Sequence, residues 1–318
     1  MKEIFIGEVI HQQRLALGLT QEELCQGICE PITISRLENG KQTPSRNRIR
    51  ALLQRLGLPD DRFFGLLSEK ELQISALEKE LVSCHVCFDR ASLDQRPAIR
   101  EEGLAKHREL EALMDKDDTL LRQRILRSKY LLGTESGPYN LEEGMELLLQ
   151  AMRMTSPNFS LDAIGGGLYT EEEIKIINNM ATAYAEAGRS YDAIDIWKPL
   201  MRYLQRKMGK LTSDRIPDRA LIPLVGFNYA LELEIVKRYD ESLEIAEYTR
   251  RICIDYGPYA TLPGVLMVMA ECHYHLGRRE ESAELYKQAY YLFKVLEDNY
   301  NLGIIVQEAK EFLGLELE

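Results

Sequence analysis

Three stretches of this chain, residues 177–200, 226–249 and 266–289, can be laid over one another without a gap. The overlay puts Ala181, Ala230 and Ala270 at one position, Gly188, Lys237 and Gly277 at a second, and Trp197, Ala246 and Tyr286 at a third. Each stretch reads as two helices with a turn between them: a small residue where the helices cross, a turn residue seven later, a core plug nine beyond that. A pair of helices of this length leaves one apolar face uncovered, so successive pairs must stack on each other. That constraint excludes sheet folds for most of the chain. No strand alternation appears anywhere after residue 66, and residues 69–88, 97–114, 119–132, 140–154, 171–187, 190–208, 218–236, 239–255, 262–276, 279–297 and 300–313 all carry helical periodicity.

The repeated units resemble the tetratricopeptide (TPR) pattern, although their offsets of 49 and 40 residues exceed the usual spacing of about 34. Stacked units of that kind wind into a superhelix whose first helices line a concave groove. Asn179 and Asn228 share a register position in successive units. A side-chain amide offers a donor and an acceptor together, which suits it to grip the backbone of an extended peptide, and equally to cap a neighbouring turn. The same register places Asn178, Thr182, Phe227, Leu231, Met267, Glu271 and Tyr274 near the groove.

The first 66 residues are built differently. Ile6, Val9, Ile10 and Leu17 make one stripe ending at Gly18, and Thr20 with Glu23 forms a capping box that opens a second helix ending near Gly27. Pro31 suits the first position of a third helix, which runs to Asn39 with Gly40 as its stop; a fourth starts at Thr43-Pro44 and buries Ile49, Leu52, Leu53 and Leu56. Two short helices across a tight turn make a helix-turn-helix, whose second helix fits the DNA major groove. On that helix Ile34 and Leu37 point inward, leaving Ile32, Thr33, Ser35 and Arg36 outside or flanking. Arg36 can pair with guanine, while Ile32 and the Thr33 methyl can touch a thymine methyl.

Charge supports the division. The chain carries a net charge of -11, which argues against nucleic acid on average. Yet residues 1–66 hold nine Lys and Arg against eight acids, and the remainder 31 against 43. From Arg36 to Arg55 there are six basic residues and one acid, Glu38. A domain boundary follows, where Phe63-Phe64 plugs the junction and Ser68 to Glu71 forms another capping box, giving domains 1–66 and 67–318.

The words LTQEEL and ITISRLENGKQTPS resemble the Cro and phage-repressor (XRE) family over nearly all of residues 4–60. That resemblance implies phosphate contacts from Gln21, Asn39, Lys41, Thr43 and Arg46. Glu30-Pro31 departs from it, since small polar residues are usual there. An XRE-type head joined to irregular TPR units resembles, over the whole chain, the Rgg and PlcR type of peptide-responsive transcription regulator (RRNPP superfamily). The resemblance implies an all-α chain, a lambda-repressor-like helix-turn-helix bundle followed by a right-handed TPR-like α-solenoid. It also implies a homodimer, a double-stranded DNA operator, a short signalling peptide in the groove, quorum sensing as the role, and Asn179 and Asn228 as peptide contacts. A TPR adaptor for a protein partner and a constitutive dimeric repressor are the alternatives.

No catalytic, cofactor or metal constellation emerges. The five histidines are scattered, and Gly165-Gly166-Gly167 lacks the Lys-Ser/Thr of a phosphate loop, which makes it a connector. Cys84 and Cys87 form a C-x-x-C without a second pair, and the six cysteines are too sparse for a disulfide scaffold. Tyr286, Tyr290 and Tyr291 read as packing. The opening residues lack the apolar centre of a signal peptide and no stretch is long enough to span a bilayer, so the expected location is the cytoplasm, away from any membrane.

Overall fold

A computed structural model describes residues 6–58, 69–91, 94–115, 117–134, 136–209 and 220–317. Among them there is no β-strand, and a lone bridge joins Thr134 and Gly137. The proposed junction at Phe63-Phe64 and Ser68 lies outside the described residues. The helices are α1 (Ile6–Ala16), α2 (Gln21–Cys25), α3 (Pro31–Glu38), α4 (Arg46–Arg55), α5 (Glu69–Arg90), α6 (Arg96–Leu113), α7 (Thr119–Leu132), α8 (Leu141–Arg153), α9 (Glu171–Glu186), α10 (Ser190–Gly209), α11 (Leu221–Ile235), α12 (Tyr239–Tyr256), α13 (Leu262–His275), α14 (Arg279–Val295) and α15 (Asn299–Leu313). Two compact units divide within α9, between Asn179 and Met180.

In the first unit, α1 to α4 enclose a core of Ile10, Leu24, Ile34, Leu37, Ile49, Leu52, Leu53 and Leu56. The capping box at α2 forms as its sequence dictates: the Thr20 hydroxyl accepts from the Glu23 amide at 3.1 Å, and the Glu23 carboxylate accepts from the Thr20 amide at 2.7 Å. The start of α4 differs from expectation. Pro44 is buried and precedes the helix, which begins two residues later at Arg46, with Ser45 as N-cap. Elsewhere in this unit α5 packs on α6, α6 on α7 and α7 on α8.

Three of the contacts that fasten the bundle to the rest of its unit stand out. Leu120 of α7 joins its core, and the Thr119 hydroxyl donates to the Gly27 carbonyl at 3.2 Å. Gly27, at φ 68°, lies so close to Thr155 that a Cβ would sit 2.2 Å from the Thr155 carbonyl oxygen; glycine is required both for the turn and for the approach. Third, Arg55 is not on the surface. It is 4% exposed and donates to the carbonyls of Leu24 at 3.0 Å, Gln26 at 2.6 Å and Thr155 at 3.0 Å, and to the Glu173 carboxylate at 3.3 Å. Of the six basic residues counted from Arg36 to Arg55, this one is therefore not an exposed charge: four acceptors converge on it, and a guanidinium with that many partners is held inside. The residues read as a glycine connector also differ, since Leu161–Gly166 form a 3-10 helix that buries Ile164.

In the second unit α10 packs on α11, α11 on α12 and α13, α12 on α13, α13 on α14, and α14 on α15. Its core holds Ala230, Ala246, Ala270 and Tyr286, residues the repeat overlay singled out. Gly226 is buried against Thr249, whose hydroxyl would lie 2.1 Å from an added Cβ, which is how α11 and α12 cross so closely. The turn position shared by Gly188, Lys237 and Gly277 is left-handed in all three, at φ 73°, 63° and 79°, so Lys237 holds a conformation that suits glycine. Of the tyrosine trio, Tyr286 and Tyr290 are buried but Tyr291 is exposed, a correction to reading all three as packing. Tyr291 follows Tyr290 by one residue, and a 100° step takes it off the buried face.

Candidate nucleic-acid interface and ligand groove

Helix α3 presents the face expected of it. Ile34 and Leu37 are fully buried, Ile32 is 56% exposed, Arg36 is exposed, and Thr33 and Ser35 are half-buried. Arg36 makes one long contact, donating to the Gln42 side-chain oxygen at 3.5 Å, which leaves most of its donor fork unengaged by that bond. Lys41 and Thr43 are exposed and Arg46 half-buried; Asn39 uses its amide to donate to the Ser35 carbonyl at 2.7 Å.

Glu38, the acid inside the basic run, does not oppose this face. Its side chain is 2% exposed and is gripped by Arg14, which donates to one oxygen at 2.6 Å and the other at 2.9 Å. Gln21 adds a bond at 2.7 Å and His11 lies at 3.0 Å. Burial alone would raise this carboxyl, but the hydrogen bonds from Arg14 and Gln21 and the Arg14 charge hold it below the usual carboxylate range. The Gln21 side-chain amide, which the family resemblance assigned to phosphate, donates to this carboxylate. Arg48 is drawn off to Asp117 at 3.1 Å.

In the second unit, Thr182 on α9, Phe227, Asn228 and Leu231 on α11, and Met267, Glu271 and Tyr274 on α13 are all half-buried, as residues lining a groove would be. Phe227 lies over Gly264, with its ring 3.0 Å from where a Cβ would stand. At the end of the first unit's share of α9, Asn178 is 3% exposed and already engaged, which takes it off the surface a ligand could touch. Asn179 next to it carries a buried side-chain oxygen with no hydrogen-bond partner.

Sequence reasoning missed the groups around Glu271. Glu234 on α11, Glu271 on α13 and Glu308 on α15 recur at intervals of 37 residues, a period hidden because the repeat overlay ran at 40. Burial, then the charges of Glu308 and Glu234, push the Glu271 carboxyl up to about 8. Glu308 and Glu234 are raised as well, first by burial. His275 lies 3.7 Å from Glu234 and stacks on Tyr239. Among the described residues no group of three potential ligands is close enough to hold a metal ion, and no helix is long and apolar enough to cross a membrane.

The sequence matches the helix-turn-helix family over residues 10–63 and the RNPP family C-terminal domain over residues 118–314. No curated protein matches it in sequence. Among solved structures it is similar to PlcR of Bacillus thuringiensis in complex with the peptide PapR7 and DNA, with a TM-score of 0.57 and 21% identity over 95% of this chain and 99% of that one. It is also similar to the apo form of the competence regulator ComR of Streptococcus vestibularis, with a TM-score of 0.50 and 15% identity over 97% and 98%.

Proposed function

Because the chain belongs to the RNPP family, whose members are transcription regulators and not enzymes, we propose that it is a cytoplasmic, homodimeric DNA-binding regulator controlled by a short signalling peptide in quorum sensing. Residues 1–66 bind the operator and residues 67–318 sense the peptide and dimerise. The observation that carries the reading is the outer face of α3, where Arg36 is exposed while the neighbouring acid, Glu38, is sealed against Arg14. A face with that charge pattern attracts a duplex, and Arg36 then reads guanine as Ile32 and Thr33 touch thymine methyls. Ser35 flanks them, and Asn39, Lys41, Thr43 and Arg46 reach phosphates and fix the docking. PlcR, similar in fold, was crystallised with both a peptide and DNA.

The peptide lies along Thr182, Phe227, Asn228, Leu231, Met267, Glu271 and Tyr274, and Asn179 is the further contact that the family resemblance assigns. Control of DNA binding needs a coupling free energy between the sites. Helix α9 supplies a route, because Glu173, which holds Arg55, lies six residues before Asn179, about 9 Å along the axis. A peptide that draws on Asn179 pulls the helix that fastens the DNA-binding bundle.

Native mass spectrometry of the protein purified from its own host tests the reading. A dimer carrying a short peptide, whose removal changes the affinity for a selected duplex, is the expected result. A monomer with no peptide and no duplex selected from a random pool at low salt overturns it.

A further inference from the structure

The first unit holds a cavity of about 190 Å³ where α5, α6, α7 and α9 meet. Its lining is of two kinds. Leu81, Leu110, Leu121 and Ile125 are apolar and at most 4% exposed, whereas Glu78, Arg124, Arg127, Glu172 and Lys175 are charged and half-buried. The charges do not cancel. The Arg124 Nε donates to Glu78 and the Arg127 Nε to Glu172 at 2.5 Å, which engages both carboxylates. Lys175 forms no hydrogen bond or ion pair among the described residues, and the Arg124 Nη2 is buried without a hydrogen-bond partner. His85, also in the lining, adds no charge at neutral pH, because burial pushes its imidazole down to about 4. Three cations thus face two carboxylates, with a buried guanidinium donor left over. Such donors are almost always bonded, so the cavity is short of one anionic acceptor.

Size and lining together name the ligand. At the ~30 Å³ that one water occupies in the liquid, a cavity of this volume holds about six non-hydrogen atoms. An inorganic anion answers the charge but buries none of the four apolar side chains, and a long acyl chain does not fit. We propose that the cavity binds a short aliphatic carboxylate of about four or five carbons, its oxygens taken by the Arg124 Nη2 and Lys175 and its hydrocarbon end lying against Leu81, Leu110, Leu121 and Ile125. Such a ligand touches two helices that fasten the DNA-binding bundle. Lys175 lies two residues after Glu173, the partner of Arg55, and Leu121 follows Leu120, which joins the bundle's core. The site is a second input to the bundle, built within the first unit, and it stands whether or not a peptide occupies the groove.

The probes are sodium isovalerate, its uncharged counterpart isovaleramide, and acetate, which keeps the charge and lacks the hydrocarbon. Each is titrated into the full-length chain, isotopically labelled at its histidine rings and followed by NMR. Isovalerate should move the His85 resonance, assigned with His85→Gln, and leave that of His11 on α1 in place. It should bind at least about tenfold more tightly than either counterpart, since isovaleramide gives up the charge-assisted bonds and acetate the buried carbons. Lys175→Gln removes a side chain that holds no partner, so the variant should melt with wild type and lose most of the preference for isovalerate over isovaleramide. Equal affinity for isovalerate and either counterpart, a preference unaltered in Lys175→Gln, binding that leaves His85 unmoved, or no binding at millimolar concentration each overturns the site. None of these outcomes touches the peptide reading.

Discussion

Replacing Arg55 by Met should undock the DNA-binding bundle without unfolding it. In the folded chain this guanidinium closes four hydrogen bonds, three to the carbonyls of Leu24, Gln26 and Thr155 and one to Glu173. Glu173 is fully buried and also accepts from the Thr155 hydroxyl at 2.7 Å, the Ser156 hydroxyl at 2.6 Å and the Thr170 amide at 2.7 Å, so it stays in place when its Arg55 partner is removed. Breaking one partner of a buried pair costs about 3–5 kcal/mol, which is roughly two to four decades in the docking equilibrium. The bundle keeps its own core of Ile10, Leu24, Ile34, Leu37 and Leu52, so the loss falls on the junction. Scanning calorimetry of full-length wild type and Arg55→Met is the assay. The variant should show a separate, earlier transition and bind a duplex with no response to peptide. A single transition within about 1 °C of wild type, with the peptide response intact, would refute the argument that Arg55 is the fastening.

Arg36→Ala should leave stability unchanged, since the side chain is exposed, and should reduce discrimination at one base position by about 1–3 kcal/mol; selection from a randomised duplex pool reads this directly. Asn179→Ala combined with Asn228→Ala should weaken the peptide response while duplex affinity without peptide stays the same, and an unchanged response in titrations would remove both from the groove. Lys237→Gly relieves a left-handed φ of 63° and should raise stability by up to about 1 kcal/mol in urea melts; a fall would show that the turn prefers the lysine. Burial, then Lys129, lowers the His107 imidazole from 6.5 to about 4. The unfolded chain therefore takes up a proton first as pH falls, so this stability is complete above 6.5 and is lost between 6.5 and 4. For a side chain this buried the loss amounts to about 3 kcal/mol. His107→Gln should flatten that part of the pH profile in chemical melts, and an unaltered profile would exclude His107 as its source.

The helices were legible because capping boxes and glycine stops act within a few residues. Thr20 with Glu23, Pro31 and Gly40 each do in the fold what their local chemistry requires. Pro44 shows the limit, since whether a proline opens a helix or precedes its cap depends on what buries it. Counting charges along the chain does not reveal that Arg55 is buried, because its acceptors include Thr155 and Glu173, 100 and 118 residues away. No local pattern announces such partners. Asn178 failed for a related reason, because one step of 100° along α9 separates a buried amide from its neighbour Asn179. The glutamate cluster left a trace in its 37-residue period, but the overlay was anchored on small residues, and longer turns shift charged positions against them.

The division of charge ties these parts together. The surplus acid lies outside residues 1–66, so each head meets DNA with a basic face of a few residues and an acidic remainder nearby. A single head with so few phosphate contacts binds weakly and loses affinity steeply with salt. In the proposed dimer, useful affinity would come from two heads on one operator, where the second contact is intramolecular and its strength depends on head separation. On that proposal a small movement at the Arg55 fastening would be amplified, because simultaneous docking can be won or lost without any change in the contacts each head makes.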